Sequence, residues 1–233
     1  PDYAVTGVQT CALPILFMHY CFDAWMQREH PRNPFARYCD DAVAHCRSES
    51  EAKALLTAID QRLRACKLEI HPEKSGVVYC KDSNRRREHP RIQFTFLGYT
   101  FRPRKVVTGN GKPWTGFVPA VSAAAVKRMC AHIHEWHLPR QTSVSLNALA
   151  MRVNPTLRGW LNYYGRFYQT AMRPVFAHFE QSLLRWARRK YRKFACRPRY
   201  ARRWLRKMAR RQPRLFIHWL AFGRVTVRTM GAV

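Results

Sequence analysis

Acidic residues are scarce in this 233-residue sequence, which has 14 Asp and Glu against 42 Lys and Arg and a formal net charge of +28. The deficit is concentrated in one half: residues 121–233 hold 2 acidic and 24 basic residues, whereas residues 1–120 hold 12 and 18. A chain with so large an excess of one sign repels itself unless a polyanion binds it. The composition argues against an ordinary soluble enzyme and favours a protein that binds nucleic acid.

Two other features are missing. The eight cysteines form no C-x-x-C pair, so neither a zinc site nor a disulfide framework is indicated, and reduced thiols in the cytosol are the simplest interpretation. No run of 18 apolar residues exists, so we expect no segment to span a membrane. Binding of the basic half to an anionic membrane surface is the less favoured alternative to nucleic acid. The 47% of hydrophobic residues can build a core, which argues against wholesale disorder.

Residues 5–15, VTGVQTCALPI, do not read as a structural element. The stretch has no sustained helical or strand period, and Pro14 would break a helix leading into the apolar residues that follow. A signal peptide fits poorly because no Lys or Arg precedes the apolar part. All eleven residues are similar to the conceptual translation of a sequencing adapter. We expect residues 1–15 to be such an artefact, with the native coding sequence cut at about Leu16; a short N-terminal arm is the alternative.

Residues 16–66 are predicted to form a helix, a hairpin and a second helix. A tight Cys-Asp-Asp turn is predicted to join two short strands within residues 35–46. Ser48 and Glu51 form the S-x-x-E pattern of a capping box, which predicts a helix over 49–66. A first helix is predicted over 16–27 from apolar residues at helical spacing, namely Phe17, Tyr20, Cys21, Ala24 and Trp25.

Strands are predicted over residues 77–80 (VVYC) and 92–101 (IQFTFLGYTF). The sequence TGNGK (108–112) predicts a turn that returns the second strand through WTGFVP as a hairpin.

After residue 121 the pattern becomes helical. Ser122 is predicted to cap a helix, and Pro155 is predicted to end a helix over 145–153 and to start the next one behind an N-cap at Asn154. Two further helices are predicted over 174–195 and 200–211. The fold class is therefore predicted to be α+β: antiparallel strands with helices, followed by an all-helical domain.

Asp40 and Asp41 are candidate metal ligands. An Asp-Asp turn is most often simply solvated, but a carboxylate on a strand-supported turn is held rigidly, as a metal ligand must be. Mg²⁺ commonly binds one or two carboxylates together with substrate phosphates. In a protein that otherwise attracts nucleic acid, this pattern suggests phosphoryl transfer with two metal ions.

The order of these segments resembles a known family. RYCDD (37–41) resembles the Y-x-D-D hairpin of reverse transcriptases, LEIHPEKS (68–75) the segment after it, and FTFLGYTF (94–101) the strand that leads to the primer grip. FMHYCFDAWM (17–26) resembles the helix before Y-x-D-D in group II intron reverse transcriptases, and NPTLRGWLNYYGRF (154–167) resembles the maturase, or X, domain of the same proteins.

The resemblance implies the C-terminal part of a group II intron reverse transcriptase and maturase, an RNA-directed DNA polymerase that also binds intron RNA and assists splicing. Residues 16–121 would be the end of the palm, and residues 122–233 the helical thumb and maturase domain. Intron RNA and a DNA primer or target are the implied partners, with a possible homodimer of the full-length protein. The implied location is the bacterial or organellar cytoplasm, in association with a nucleoprotein particle.

The same resemblance implies roles for individual residues. Asp40 corresponds to the metal-binding aspartate, with Asp41 as a supporting carboxylate, and Lys74 to a candidate proton donor or phosphate contact; a solvated lysine is an equal alternative. Cys39 departs from the usual alanine, but it is small enough for the turn. The palm strand that supplies another metal-binding aspartate is not seen, so we expect the two-Mg²⁺ site to be incomplete and the chain as written not to polymerise.

The basic half carries the candidate RNA contacts. Residues 185–214 contain 15 Lys and Arg and no acid, a density that favours phosphate binding over a merely solvated face. Tyr163 falls off the predicted core stripe of Leu157, Trp160, Leu161 and Tyr164 and could stack on bases. The cationic candidates are Arg158, Arg166, Arg185, Arg188, Arg189, Lys190, Arg192 and Lys193. Two alternatives to the polymerase stay open, a non-enzymatic RNA-binding splicing cofactor and a generic nucleic-acid packaging protein.

Overall fold

The computed structural model describes residues 14–85, 87–107, 111 and 113–222. The fold is α+β, as predicted, and the chain divides into two compact units. Within the described residues the first unit holds 14–97 and 102–117, and the second holds 98–101 and 118–222. The predicted adapter segment lies outside the described residues except for Pro14 and Ile15.

The first unit begins with a helix that contains a π-turn. Cys21, Phe22 and Met26 are buried in it, whereas Phe17 and Tyr20 are 49% and 66% exposed. The prediction of a helix is confirmed, but only the later part of its apolar stripe faces inward: Cys21 is buried and Trp25 packs against the core of the unit. A π-turn carries an extra residue, so it rotates the residues before it relative to those after it, and a uniform helical period does not hold across it. Residues 14–18 are α-helical, His19–Asp23 form the π-turn, and helix α1 spans Ala24–Glu29.

The predicted hairpin and second helix are confirmed. Strands β1 (Phe35–Tyr38) and β2 (Asp41–Ala44) pair antiparallel with Tyr38 opposite Asp41. Helix α2 (Glu49–Ala65) begins behind Ser48, whose hydroxyl accepts a hydrogen bond from the backbone N–H of Glu51 at 3.2 Å. Leu55 on this helix is buried together with Phe22 and Met26, and these three residues form the small core of the first unit.

A three-stranded sheet follows, with strand order β3–β4–β5. The single strand predicted over 92–101 is wrong, because Leu97 (φ 52°) and Gly98 (φ 77°) form a two-residue turn between two strands. Left-handed φ at both central residues is the usual geometry of a tight hairpin, and Gly98 adopts it without steric cost. The strands are β3 (Phe94–Phe96), β4 (Tyr99–Val107) and β5 (Pro113–Val121).

The strand predicted over 77–80 is wrong, whereas the predicted return of the second strand as a hairpin is confirmed. Residues 77–80 do not form a regular strand. The N–H of Tyr79 donates to the carbonyl of Arg91 at 2.9 Å, but its carbonyl accepts from the N–H of Lys81, two residues on, at 2.9 Å, which is a local turn and not a ladder bond. The return of β4 through β5 is confirmed. Of the predicted turn at 108–112, only Gly111 lies within the described residues.

The second unit is helical after β5. Ser122 and Ser145 are N-caps whose hydroxyls accept hydrogen bonds from the N–H groups of Ala125 and Ala148. The N-cap predicted at Ser122 is confirmed, whereas the short last helix was not predicted. The helices are α3 (Ala123–Glu135), α4 (Leu146–Tyr164), α5 (Arg173–Lys190), α6 (Pro198–Arg211) and α7 (Ile217–Ala221).

Helix α4 has no break at Asn154, so the predicted break is wrong. The helix continues through Pro155, which removes one N–H and leaves the carbonyl of Met151 without its partner. Because Met151 is 72% exposed, water can bind that carbonyl. Asn154 is therefore not an N-cap; its amide instead reaches the segment before α7, donating to the carbonyl of Leu215 at 2.8 Å and accepting from the N–H of Ile217 at 3.2 Å.

The core of the second unit is built on α5. One face of this helix is completely buried and supplies the largest side chains, Phe176, Phe179, Leu183 and Trp186. The predicted stripe on α4 packs against the same core, with Leu157 buried and Trp160, Leu161 and Tyr164 half-buried. Burying a side chain of this size contributes about 1.5–3 kcal/mol. Within the described residues no helix combines the length and apolarity needed to cross a membrane.

We expect Asn154→Ala to lower the free energy of unfolding of the second unit by about 1–3 kcal/mol, because it removes a donor and an acceptor from two backbone groups that are then unpaired. Urea denaturation followed by tryptophan fluorescence measures the change. Asn162→Ala is the matched control, since Asn162 is exposed on the same helix. Equal effects of the two substitutions would contradict the bridging role of Asn154.

Candidate acidic turn and candidate nucleic-acid interface

The tip of the β1–β2 hairpin carries the two candidate metal ligands. Cys39 and Asp40 form the turn, and Asp41 is the first residue of β2. Both carboxylates are exposed, and neither has an ion-pair or hydrogen-bond partner among the described residues. Cys39 has a left-handed φ of 55°, so the unusual backbone geometry lies at Cys39, one residue before the turn's aspartate.

Arg37 ties this turn to the preceding helix. Its Nε and Nη2 donate to Oδ1 and Oδ2 of Asp23 at 2.6 and 2.5 Å, and its Nη1 donates to the carbonyl of Cys39 at 2.7 Å. The Arg37 and Asp23 side chains are only 9% and 16% exposed. The hydrogen bonds from Arg37 lower the pKa of Asp23, with a smaller contribution from His19, whose Nδ1 lies 3.5 Å from Oδ2. The ion pair was not predicted from the sequence.

Asp40 and Asp41 fit part of a magnesium site. Carboxylate oxygens are the hard ligands that Mg²⁺ prefers, and one or two carboxylates plus substrate phosphates commonly complete its octahedron. Within the described residues no third His, Cys, Asp or Glu joins them in a group able to hold a metal ion. Lys74 is exposed in a turn after α2, and none of its described contacts involves either aspartate.

The second unit contains a groove of about 860 Å³ between the end of α3 and the C-terminal half of α5. Its lining is cationic and contains no acidic residue. Five of the predicted RNA-binding residues line it, namely Arg185, Arg188, Arg189, Lys190 and Arg192, and the structure adds His134, His137 and Arg140. These three were not predicted from the sequence, because they belong to a different helix and its connection and no spacing along the chain relates them to α5.

Two of the groove cations already bind the protein itself. Arg188 donates through Nε and Nη2 to the carbonyl of Ala195 at 3.1 and 2.8 Å. Lys190 donates to the carbonyls of Thr142 and Val144 at 2.7 and 3.0 Å. These bonds satisfy carbonyls in the connections around α5, so both residues contribute to the shape of the groove as well as to its charge.

Four groove arginines are left without such partners. Arg185, Arg189 and Arg192 are exposed, as is Arg140, and none makes an ion pair or hydrogen bond among the described residues. Residues 121–233 contain only two acids, Glu135 and Glu180. Each is engaged elsewhere.

Glu135 Oε2 lies 3.2 Å from His132, and Glu180 Oε1 accepts from the buried His218 at 2.7 Å and from Trp219 at 2.5 Å. Burial, together with the nearby Arg185 and a smaller contribution from His134, lowers the pKa of His178 on α5. The groove lining carries several cations and no carboxylate, so its potential is positive.

The remaining candidate RNA contacts lie outside the groove lining. Arg158 and Arg166 are exposed on and just after α4, and Lys193 is exposed with its Nζ 5.2 Å from the centre of the Phe194 ring. Tyr163 is 47% exposed, but its ring also packs against Tyr99 and Tyr164. One side of this ring thus belongs to the aromatic cluster at the end of α4.

Both sites lie within regions that match known families. Residues 8–101, which include the acidic turn, match the family model for reverse transcriptase (RNA-dependent DNA polymerase). Residues 126–204, which include every residue of the groove lining, match the family model for the group II intron, maturase-specific domain. No curated protein matches the sequence significantly.

The Asp23–Arg37 pair should make the stability of the first unit depend on pH. Because the pKa of Asp23 is lowered in the folded state, the pair stabilises the first unit above the pKa of an unfolded aspartate, about 4. That stabilisation disappears as the pH falls through the lower folded pKa.

We expect Asp23→Asn to cost about 3 kcal/mol at pH 6 and progressively less below pH 4. Asp60→Asn is the control, because Asp60 forms a largely exposed pair with Arg64, and its effect should stay below about 1 kcal/mol. Urea titrations between pH 6 and pH 2.5 measure both. A cost for Asp23→Asn that is constant over this range would contradict the assignment.

Proposed function

Because this chain belongs to the group II intron reverse transcriptase and maturase family, as its two matched regions show, we propose that its second unit binds the phosphate backbone of intron RNA in the groove beside α5 and thereby assists splicing. The observation that carries the proposal is the cluster of four arginines without partners in a unit whose two acids are both engaged elsewhere. Such a cluster is destabilising until a polyanion neutralises it.

The shape and chemistry of the groove suit an RNA chain. Arginine presents a planar fork of donors that matches phosphate oxygens, so Arg140, Arg185, Arg189 and Arg192 can each contact a backbone phosphate. Each contact releases condensed counterions, which makes binding strong and dependent on salt. The exposed part of Tyr163 offers a surface on which an unpaired base can stack, and Arg158 and Arg166 carry further positive charge at the same end of α4.

A second activity, RNA-directed DNA polymerisation, is supported by the acidic turn, which lies within the reverse transcriptase match. Because no third ligand joins the two aspartates among the described residues, the turn would supply only part of its metal site. Asp40, with Asp41 beside it, would hold Mg²⁺ through exposed carboxylate oxygens that have no competing cation among the described residues. Bound there, Mg²⁺ would supply charge neutralisation for the 3′-hydroxyl nucleophile and the pyrophosphate leaving group. The partners of this activity would be an RNA template and a DNA primer. A splicing cofactor without polymerase activity is the alternative, and it needs no metal at Asp40.

We expect the double substitution Arg185→Gln and Arg189→Gln to weaken binding of a folded group II intron transcript by about 10-fold or more, and to lower the slope of log affinity against log salt by about 2, because two phosphate contacts are lost. Filter binding or fluorescence anisotropy across a range of KCl concentrations measures both quantities.

The matched control is Arg28→Gln with Arg64→Gln, which removes the same charge from exposed arginines that are paired with Glu29 and Asp60. An equal loss in the two double variants would show that net charge alone governs binding and would exclude the groove as the site.

We expect Asp40→Asn to abolish binding of Mn²⁺, used as a spectroscopic substitute for Mg²⁺, while RNA affinity changes less than about twofold, because the aspartate contributes little to phosphate binding. Electron paramagnetic resonance of free Mn²⁺ gives the metal affinity. Asp82→Asn is the control, since Asp82 accepts hydrogen bonds from backbone N–H groups in the same unit. Unchanged Mn²⁺ binding in Asp40→Asn would favour the cofactor alternative over the polymerase.

A further inference from the structure

Arg37 joins three separate parts of the first unit: strand β1, the helix that contains Asp23, and the turn that carries Asp40. We propose that Arg37, held in place by Asp23, is a positioning residue that fixes the Cys39–Asp40 turn in the conformation that presents the Asp40 carboxylate. The metal-binding part of this role rests on the function proposed above for the acidic turn.

The hydrogen bonds explain why the residue at position 37 should be arginine. The guanidinium uses one edge for a bidentate contact with both Asp23 oxygens and still has Nη1 free for the carbonyl of Cys39. A rigid fork can bind a carboxylate and a carbonyl in fixed relative positions. The single ammonium of a lysine cannot reproduce both contacts with the same geometry, so the role depends on shape as well as on charge.

The turn has little else to hold it. Tyr38 is 62% exposed, Asp40 and Asp41 are exposed, and each strand has only four residues. The base of the hairpin packs on the core of the unit through Phe35 and Ala44, but its exposed tip does not, and a two-stranded hairpin without such packing is marginally stable in water. Cys39 adds a left-handed φ of 55°, which residues other than glycine adopt only when the surroundings impose it. Arg37 Nη1 donates a hydrogen bond directly to the carbonyl of this residue and so favours the unusual conformation.

Asp23 is the second half of the device. It orients the guanidinium from a helix that is anchored by the buried residues Cys21, Phe22 and Met26. The position of the turn is therefore fixed relative to the core of the unit. The pair is mostly withdrawn from water. The attraction between two charges is stronger in such a place than at the surface. An arrangement that supports a ligand-bearing element from behind, without touching the ligand, is what a metal site requires for precise presentation.

Backbone hydrogen exchange in the absence of metal tests the positioning role directly. In the full chain, we expect Arg37→Met and Asp23→Asn to accelerate exchange of the amides of residues 38–42 by about tenfold or more, because the turn opens more often. Arg28→Met is the matched control, since Arg28 pairs with Glu29 at the exposed end of the same helix. Exchange in residues 38–42 that is as slow in Arg37→Met as in the parent protein would overturn the proposal.

A charge-swapped variant separates positioning from general support of the fold. Asp23→Arg combined with Arg37→Asp keeps an ion pair between helix and strand, but an aspartate at position 37 has no donor for the Cys39 carbonyl. We therefore expect the swap to recover part of the urea stability lost in Arg37→Met while residues 38–42 still exchange fast. Recovery of slow exchange at the turn by the swap would show that the pair merely joins the two elements, and would also overturn the proposal.

Metal binding provides the second readout. If Asp40 is the ligand that the turn presents, Arg37→Met should weaken Mn²⁺ binding by about 10- to 100-fold, the usual effect of losing a group that supports a metal ligand, while Arg28→Met leaves it unchanged. Absence of Mn²⁺ binding in the parent protein would reject the metal function proposed for the turn, yet the exchange measurements would still decide whether Arg37 fixes the conformation of the turn.

Discussion

The second unit can fold only because burial of one apolar helix face outweighs the mutual repulsion of its cations. Helix α5 carries both sides of this balance. Phe176, Phe179, Leu183 and Trp186 are completely buried, while Arg185 and Arg189 lie on the opposite, exposed face. Hydrophobic burial is not directional, whereas the placement of the charges is fixed by the helical period. The charges are consequently gathered on one side, where a single polyanionic ligand can neutralise several of them at once.

The same cations have more than one role. Arg188 and Lys190 bind backbone carbonyls in the connections that surround α5, so they hold the walls of the groove together, whereas the neighbouring arginines keep their donors for a ligand. A dense basic segment is therefore not uniform: some of its cations bind backbone carbonyls, and others are exposed without such a bond among the described residues. A count of 15 basic residues between 185 and 214 does not distinguish the two kinds.

The acidic turn differs from the groove in the sign of its exposed charges and in what holds them. Its two carboxylates have no ion-pair or hydrogen-bond partner among the described residues, whereas Arg37 and Asp23 behind the turn form an ion pair with little exposure to water. A metal ligand must be rigid and also free. Exposure of the hairpin tip leaves both carboxylates open to solvent. The buried pair restrains the turn through the hydrogen bond from Arg37 to the Cys39 carbonyl. Each unit thus has exposed charges that make no ion pair or hydrogen bond among the described residues.

The sequence by itself determined what depends on local patterns. Serine caps located the starts of α2 and α3, the succession of strand and helix patterns indicated the α+β class, and the order of the motifs indicated the family. Local patterns failed where a short interruption changes the geometry, as in the π-turn before Ala24, the Leu97–Gly98 turn, and Pro155 inside a continuous helix. Only the tertiary structure decided which charges meet: His134, His137 and Arg140 with the arginines of α5, and Asp23 with Arg37. The physical reason is that a period along the chain determines which face a residue occupies, whereas contacts between elements depend on packing at separations that the period does not encode.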